Sequence, residues 1–131
     1  MSEKIRLAVP SEQASGMEAQ MAVHFGHCPV FTVLTIDNGQ VVETEIVDNA
    51  PHLQGGCQAP VNTLVSNRVT DLIVGNIGMR PLVGFQTVGV RVVTYPFQPG
   101  SKVADAVQLF LSGAAQTVTP DKACGGASRA V

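Results

Sequence analysis

Residues 71–81 read DLIVGNIGMRP, and their pattern indicates the fold class. The uninterrupted apolar run Leu72–Val74 is typical of a strand that is buried on both faces of a sheet. Gly75 and Gly78 then turn the chain, and Pro81 stands close to where a helix begins. A buried strand followed at once by a helix predicts parallel strands connected by helices, which is the α/β class.

The alternation of strand and helix continues on both sides of this stretch. Residues 60–68 show the apolar spacing of a short amphipathic helix, and residues 90–95 predict another buried strand. Residues 101–113 predict a helix that is capped by Ser101. This alternation over residues 58–113 requires parallel pairing with right-handed crossovers.

The N-terminal half has a different pattern, which predicts a β-meander. Residues 5–9 form an apolar run that suits a central strand. Residues 31–36 and 41–47 are rich in β-branched side chains, and the Asp37-Asn38-Gly39 sequence between them is typical of a tight hairpin turn. The meander therefore places an antiparallel hairpin toward one edge of the sheet.

The third predicted strand alternates in side-chain type. Val42, Thr44 and Ile46 share one face, and Glu43 and Glu45 take the other. We expect the face with the two glutamates to be exposed to solvent, so these carboxylates are not interpreted as a catalytic pair.

The composition favours one folded domain. The chain has 131 residues, of which 45% are hydrophobic and 14% charged, so it can form one packed core. We predict an α/β domain over residues 1–113 and a flexible tail over residues 114–131, which contains Cys124.

The formal net charge of −2 with only 8 Lys and Arg argues against a nucleic-acid partner. No apolar run approaches the roughly 20 residues that span a bilayer, and no signal peptide is evident, so we expect a cytoplasmic protein with no membrane partner.

The histidines and cysteines are clustered in two segments that are predicted to be loops. All three histidines and two of the three cysteines lie between residues 24 and 57. Imidazole nitrogen and thiolate sulfur are the ligands that copper, zinc and iron prefer. The predicted metal ligands are His24, His27, Cys28, His52 and Cys57. For each residue taken singly, a packed or solvent-exposed role is the more common alternative.

Glycines precede two predicted helices and provide a second indication of a binding site. Backbone N–H groups and helix N-termini bind anions, and ligands of open α/β sheets bind beyond the carboxyl ends of parallel strands. The predicted contacts of this kind are Gly55, Gly56, Asn76, Ile77 and Gly78, with Met79 and Arg80 next to them. A metal–sulfide cluster satisfies both indications, because its metals accept soft ligands and its anionic sulfides accept N–H donors. The alternative is that the glycines serve only tight turns.

No feature of the sequence favours catalysis. It contains no nucleophile elbow, Walker loop or dinucleotide-binding fingerprint. We therefore expect a binding protein and not an enzyme.

Three motifs in order resemble the dinitrogenase iron-molybdenum cofactor-binding family. They are His24–Pro29 with the following Phe31, Gly55–Cys57 and Val74–Pro81. The resemblance covers residues 4–113. It implies a ribonuclease H-like α/β fold, with a five-stranded mixed sheet whose second strand is antiparallel and whose faces are flanked by helices. It also implies noncovalent binding of a preformed metal–sulfur cluster, with Gly26 of the first motif in the site.

Within that family, the short chain is most similar to the orange-protein type. This similarity implies an anionic molybdenum–copper sulfide cluster as the ligand, or a related iron–molybdenum–sulfur cluster. It further implies storage or delivery of the cluster in an anaerobe, with cluster-assembly or acceptor proteins as partners. We expect the polar segment 11–23 to act as a mobile lid, because a carrier must release its cargo.

Two other readings stay open. One is a mononuclear zinc or copper site that is formed by His24, Cys28, His52 and Cys57. The other is a metal-free scaffold or regulator of the same fold.

Overall fold

The computed structural model is a mixed β-sheet with helices on both faces. It describes residues 4–13, 15–22, 28–48, 63–75, 77, 79–95, 101–113 and 115–117. The strands, in chain order, are β1 (Lys4–Ser11), β2 (Val30–Asp37), β3 (Gln40–Asp48), β4 (Asp71–Val74), β5 (Arg91–Thr94) and β6 (Gln116–Thr117). The helices are α1, described over residues 63–66, α2 (Met79–Thr87) and α3 (Val103–Ser112), with a 3-10 turn at Gly16–Glu18.

The strand order across the sheet is β3-β2-β1-β4-β5-β6. Strands β1, β4 and β5 are parallel to one another, and β2 is antiparallel to both β1 and β3. The predicted mixed α/β sheet with an antiparallel second strand is therefore confirmed. The sheet also gains a strand that was not predicted, because β6 pairs antiparallel with β5. Strand β6 has only two residues, which is too short to show a periodic pattern in the sequence. The division of the chain at residue 113 stays a prediction.

The hairpin between β2 and β3 has the predicted turn. Asn38 and Gly39 both adopt positive φ angles, of 55° and 78°. Two consecutive left-handed residues are what a type I′ turn requires, and its twist matches that of the strands it joins.

The predicted faces of β3 are wrong in part. The register shifts between Thr35 and Ile36, which pair with Glu43 and Val41, so Val42 is the extra residue of a β-bulge. Val42 is 58% exposed, whereas Glu45 is half-buried and forms an ion pair with Arg6. An inward carboxylate is tolerated there because a guanidinium neutralises it.

The core has one layer on each face of the sheet. On one face α1 and α2 cover the strands with Leu64, Leu82 and Phe85. On the other face α3 contributes Val103, Ala106 and Val107. We call these the α2 layer and the α3 layer.

The start of α3 differs from the prediction by one residue. Lys102, not Ser101, is the N-cap. The Asp105 carboxylate accepts a hydrogen bond from the Lys102 backbone N–H at 2.9 Å, and the Asp105 N–H donates to the Lys102 carbonyl at 2.9 Å. This reciprocal pair is a form of the capping box, and the buried Ser101 lies just outside the helix.

Candidate functional site

The parallel strands define one edge at which several chain segments meet. β1 ends at Ser11, β4 at Val74 and β5 at Thr94. Because β2 is antiparallel, its first residue, Val30, pairs with Ser11 and also with Asp48, the last residue of β3. We call this side the carboxyl edge. In open α/β sheets, this is the edge beyond which ligands bind.

The described residues that flank the first and third motifs lie at the carboxyl edge. Ala22 and Cys28 stand on either side of residues 23–27, and Gly75 and Ile77 follow β4 directly. Asp48 ends β3 at the same edge, before residues 49–62, which include the second motif and lie outside the described residues. The convergence of all three motifs on one part of the molecule therefore stays a prediction.

Cys28 and Ile77 are brought together in the same buried cluster. Each is 4% exposed, and both belong to the α2 layer, together with Ala22, Phe31 and Val74. The first and third motifs thus contribute to one apolar region at the carboxyl edge. Such a shell around a sulfur ligand limits the access of solvent to a metal site.

Most of the predicted ligands lie outside the described residues. These are His24, His27, His52, Cys57, Gly26, Gly55, Gly56, Asn76 and Gly78. Among the residues that the structure describes, no three His, Cys, Asp or Glu side chains converge on a possible metal position. Metal ligation by these residues stays a prediction.

The third motif leads into helix α2 as predicted. The nine-residue helix begins at Met79 and continues through Arg80; the placement of these two side chains lies outside the description. The N–H groups of its first turn have no partner within the helix, and they lie at the carboxyl edge because the helix follows β4. Such a terminus favours a negatively charged ligand.

The expectation of a mobile lid over residues 11–23 is wrong for the part that the structure describes. Ala19, Met21 and Ala22 are buried. The N–H of Ala22 donates to the carbonyl of Pro10 at 2.9 Å, and the N–H of Glu12 donates to that of Gln20 at 2.9 Å. These hydrogen bonds return the segment antiparallel to the end of β1, so it is fixed. We call Ala19–Ala22 the linking segment.

The opposite, or amino, edge of the sheet carries an ion-pair network that the sequence did not indicate. Nη1 and Nη2 of Arg6 each donate to a different oxygen of Glu45 at 3.3 Å, and Nη1 also donates to Thr35 Oγ1 at 3.0 Å. Nε of Arg6 donates to the carbonyl of Asn67 at 3.0 Å. The guanidinium therefore connects β1, β2, β3 and the end of α1.

A second ion pair lies at the same edge, between β4 and β5. The buried Asp71 accepts from Arg91 Nε at 2.9 Å and from Thr70 Oγ1 at 2.7 Å. Arg91 also lies over the ring of Phe110, 5.7 Å from its centroid. An open cleft of about 330 Å³ is lined by Arg6, Ser66, Asn67 and Arg68.

Within the described part of the chain, no helix has the length and apolar character needed to cross a lipid bilayer.

The fold and the site define an α/β protein with a candidate ligand site at the carboxyl edge. The family model described as dinitrogenase iron-molybdenum cofactor matches residues 3–113. The chain therefore belongs to this family.

Individual proteins are similar to this chain in sequence or in structure. The chain is 31% identical over 96 residues to the uncharacterized protein MJ0580 of Methanocaldococcus jannaschii, a match that covers 72% of this chain and 79% of the relative. The structure of this chain is similar to that of the apo form of the orange protein from Desulfovibrio gigas. The TM-score is 0.76 and the identity 25%, and the match covers 91% of this chain and 97% of the orange protein. The protein PH0822 shares the fold, with a TM-score of 0.73, 23% identity, and coverage of 87% and 96%.

Proposed function

We propose that this protein binds an anionic, molybdenum-containing metal–sulfur cluster noncovalently at the carboxyl edge, and that it stores or delivers this cluster. A molybdenum–copper sulfide is the proposed cargo, and a related iron–molybdenum–sulfur cluster is the wider class. The observation that carries the proposal is the position of Cys28 and Ile77 at the carboxyl edge, where both are buried in the α2 layer. Membership of a family described by the iron-molybdenum cofactor, and similarity to the orange protein, support it.

The proposed ligands divide into two chemical groups. Thiolates of Cys28 and Cys57 and imidazoles of His24, His27 and His52 would bind the metals, since these are soft or borderline donors. Backbone N–H groups at the start of α2 would donate to the sulfides, because a helix N-terminus attracts negative charge. Arg80, the second residue of that helix, would supply a positive charge.

The proposed role is binding and not catalysis. A carrier must release its cargo, so a few contacts at an open edge suit it better than a closed coordination cage. Cluster-assembly or acceptor proteins in the cytoplasm of an anaerobe would be its partners. The mixed sheet with an antiparallel second strand also supports the ribonuclease H-like classification that the resemblance implies.

Anoxic reconstitution tests the proposal. Apo-protein is incubated with tetrathiomolybdate and copper and passed through a gel-filtration column, and the visible absorbance of the protein peak is measured. We expect a chromophore that coelutes with the protein. If the peak carries no chromophore and no molybdenum, the proposal is wrong.

Elemental analysis of the protein as purified, before any metal is removed or added, distinguishes the two alternative hypotheses. Stoichiometric zinc without molybdenum or sulfide would favour the mononuclear site, and absence of any bound metal would favour the metal-free scaffold.

Val33→Ala is a suitable control variant, because Val33 is fully buried in the α2 layer but lies in the middle of β2. It should lower stability and leave the chromophore in place.

A further inference from the structure

The linking segment joins the two core layers across the carboxyl edge. Ala19 and Met21 belong to the α3 layer, whereas Ala22 belongs to the α2 layer with Cys28. Four residues thus lead from one face of the sheet to the other. A change in the position of this segment would be felt in the buried surroundings of Cys28, because protein interiors are close-packed.

One side of the linking segment is hydrogen-bonded to the start of α3. The N–H of Met21 donates to the carbonyl of Ser101 at 2.8 Å, and the N–H of Val103 donates to the carbonyl of Ala19 at 2.9 Å. Gln20 and Lys102 face each other across this antiparallel bridge. The other side is paired with β1, as described above. The segment is therefore held between β1 and α3.

Asp105 holds the α3 side of this bridge. Its carboxylate accepts a hydrogen bond from the N–H of Lys102 at 2.9 Å, whereas the bond from its own N–H to the Lys102 carbonyl belongs to the backbone. Lys102 lies between Ser101 and Val103, whose backbones pair with the linking segment. Two further side-chain links are described here: Lys102 Nζ donates to Glu18 Oε1 at 3.2 Å, with side-chain exposures of 49% and 76%, and Gln13 Oε1 accepts from the N–H of Gln20 at 2.9 Å on the β1 side. Ion pairs as exposed as the first contribute little, so Asp105 is a side chain that supports the α3 side of the bridge.

We propose that Asp105 is a positioning residue for Cys28: through Lys102 and the linking segment, it keeps the buried surroundings of this cysteine closed. The inference rests on the proposed function in that Cys28 is one of the proposed cluster ligands. Asp105 itself touches neither Cys28 nor the cargo in this account.

Thiol labelling of the apo-protein tests this inference without any cluster. Native protein is treated with N-ethylmaleimide, and samples are quenched at successive times and digested with a protease that cleaves after glutamate. Glu43 and Glu45 lie between Cys28 and Cys57 in the sequence, so the two cysteines fall in different peptides. Mass spectrometry then gives the labelling rate of Cys28. We expect Asp105→Ala to raise this rate about five-fold, as loss of a helix cap does to a local opening equilibrium. Asp105→Glu should restore most of the protection, because glutamate also serves in a capping box.

Gly113→Ala is the matched control. Gly113 ends the same helix with a φ of 81° and has open space around its missing side chain, so alanine there strains the backbone without touching the linking segment. It should leave the labelling rate of Cys28 within about two-fold of the wild type. Equal acceleration by Asp105→Ala and Gly113→Ala would overturn the inference, because Cys28 would then be exposed only by general loss of stability.

Reconstitution of the same variants with the cluster distinguishes a failure of this inference from a failure of the proposed function. If wild-type protein takes up the cluster, we expect Asp105→Ala to lose it about five-fold faster on gel filtration than Gly113→Ala does. If wild-type protein takes up no cluster, the proposed function is wrong, whereas the labelling rates still decide whether Asp105 protects Cys28.

Discussion

The two edges of the parallel sheet differ in what their reactive side chains do. At the amino edge, two arginines pair with carboxylates of the chain: Arg6 binds Glu45, and Arg91 binds Asp71. At the carboxyl edge, Cys28 and Ile77 are buried with apolar neighbours. We therefore interpret these ion pairs of the amino edge as structural, whereas the site that we propose at the carboxyl edge would use soft and backbone donors. The four predictions that follow test this contrast.

The largest effect is expected at the amino edge. Asp71→Ala removes a buried carboxylate that accepts two hydrogen bonds, so it should lower the free energy of unfolding by about 3 kcal/mol. Urea denaturation measures the change. Cluster uptake by the folded variant should be unaffected, since Asp71 lies at the opposite edge. If the free energy of unfolding falls by less than about 1 kcal/mol, the hydrogen bonds and ion pair of Asp71 do not stabilise this edge.

The second prediction concerns Cys28. Cys28→Ala should weaken cluster retention at least about ten-fold, as loss of a ligand or its support does, with a stability cost of only about 1 kcal/mol. Equilibrium dialysis against a thiol competitor gives the retention, and Val33→Ala is the control. If Val33→Ala, the more destabilising change, weakens retention equally, Cys28 is merely a core residue.

The third prediction is a loss of cluster in mild acid. Neutral imidazole and thiolate are the binding forms of these ligands, so protons compete with the metals as pH falls. Bound chromophore should therefore decrease through the usual range of histidine titration, while far-UV circular dichroism stays unchanged. Full retention of the chromophore in acid would assign the binding to backbone N–H donors instead.

The smallest effect is expected where α1 ends near the amino edge. Arg68 adopts a φ of 63° and its N–H donates to the Val65 carbonyl, while Gly89 has the equivalent place after α2 with a φ of 85°. Left-handed backbone costs little for glycine alone. Arg68→Gly should therefore raise the midpoint of thermal unfolding, by an amount equivalent to about 0.5–1 kcal/mol. A lower midpoint would mean that the Arg68 side chain makes a favourable contribution that outweighs its backbone strain.

The parts of the fold that depend on local patterns were predictable. The Asn38-Gly39 turn follows from two residues that tolerate positive φ. Strands β4 and β5 follow from short apolar runs that only a doubly covered sheet accommodates. The inward position of Glu45 did not follow, because it depends on a bulge and on Arg6, which is distant in sequence.

The sequence predicted the edge at which the described parts of the first and third motifs lie, but not how this edge is built. Cys28 and Ile77 both lie there, since parallel strands have their carboxyl ends at one edge. The linking segment was missed because it lies within the polar segment 11–23, which suggests a loop, whereas its order comes from pairing with Ser101 and Val103. Pairing between segments some eighty residues apart leaves no periodic signal.

The most direct measurement of the central claim is the metal and sulfide content of the protein purified without oxygen from its own organism. The account predicts stoichiometric molybdenum together with inorganic sulfide, both lost after Cys28→Ala. Zinc alone, or neither metal nor sulfide in protein that is shown to be folded, would contradict it.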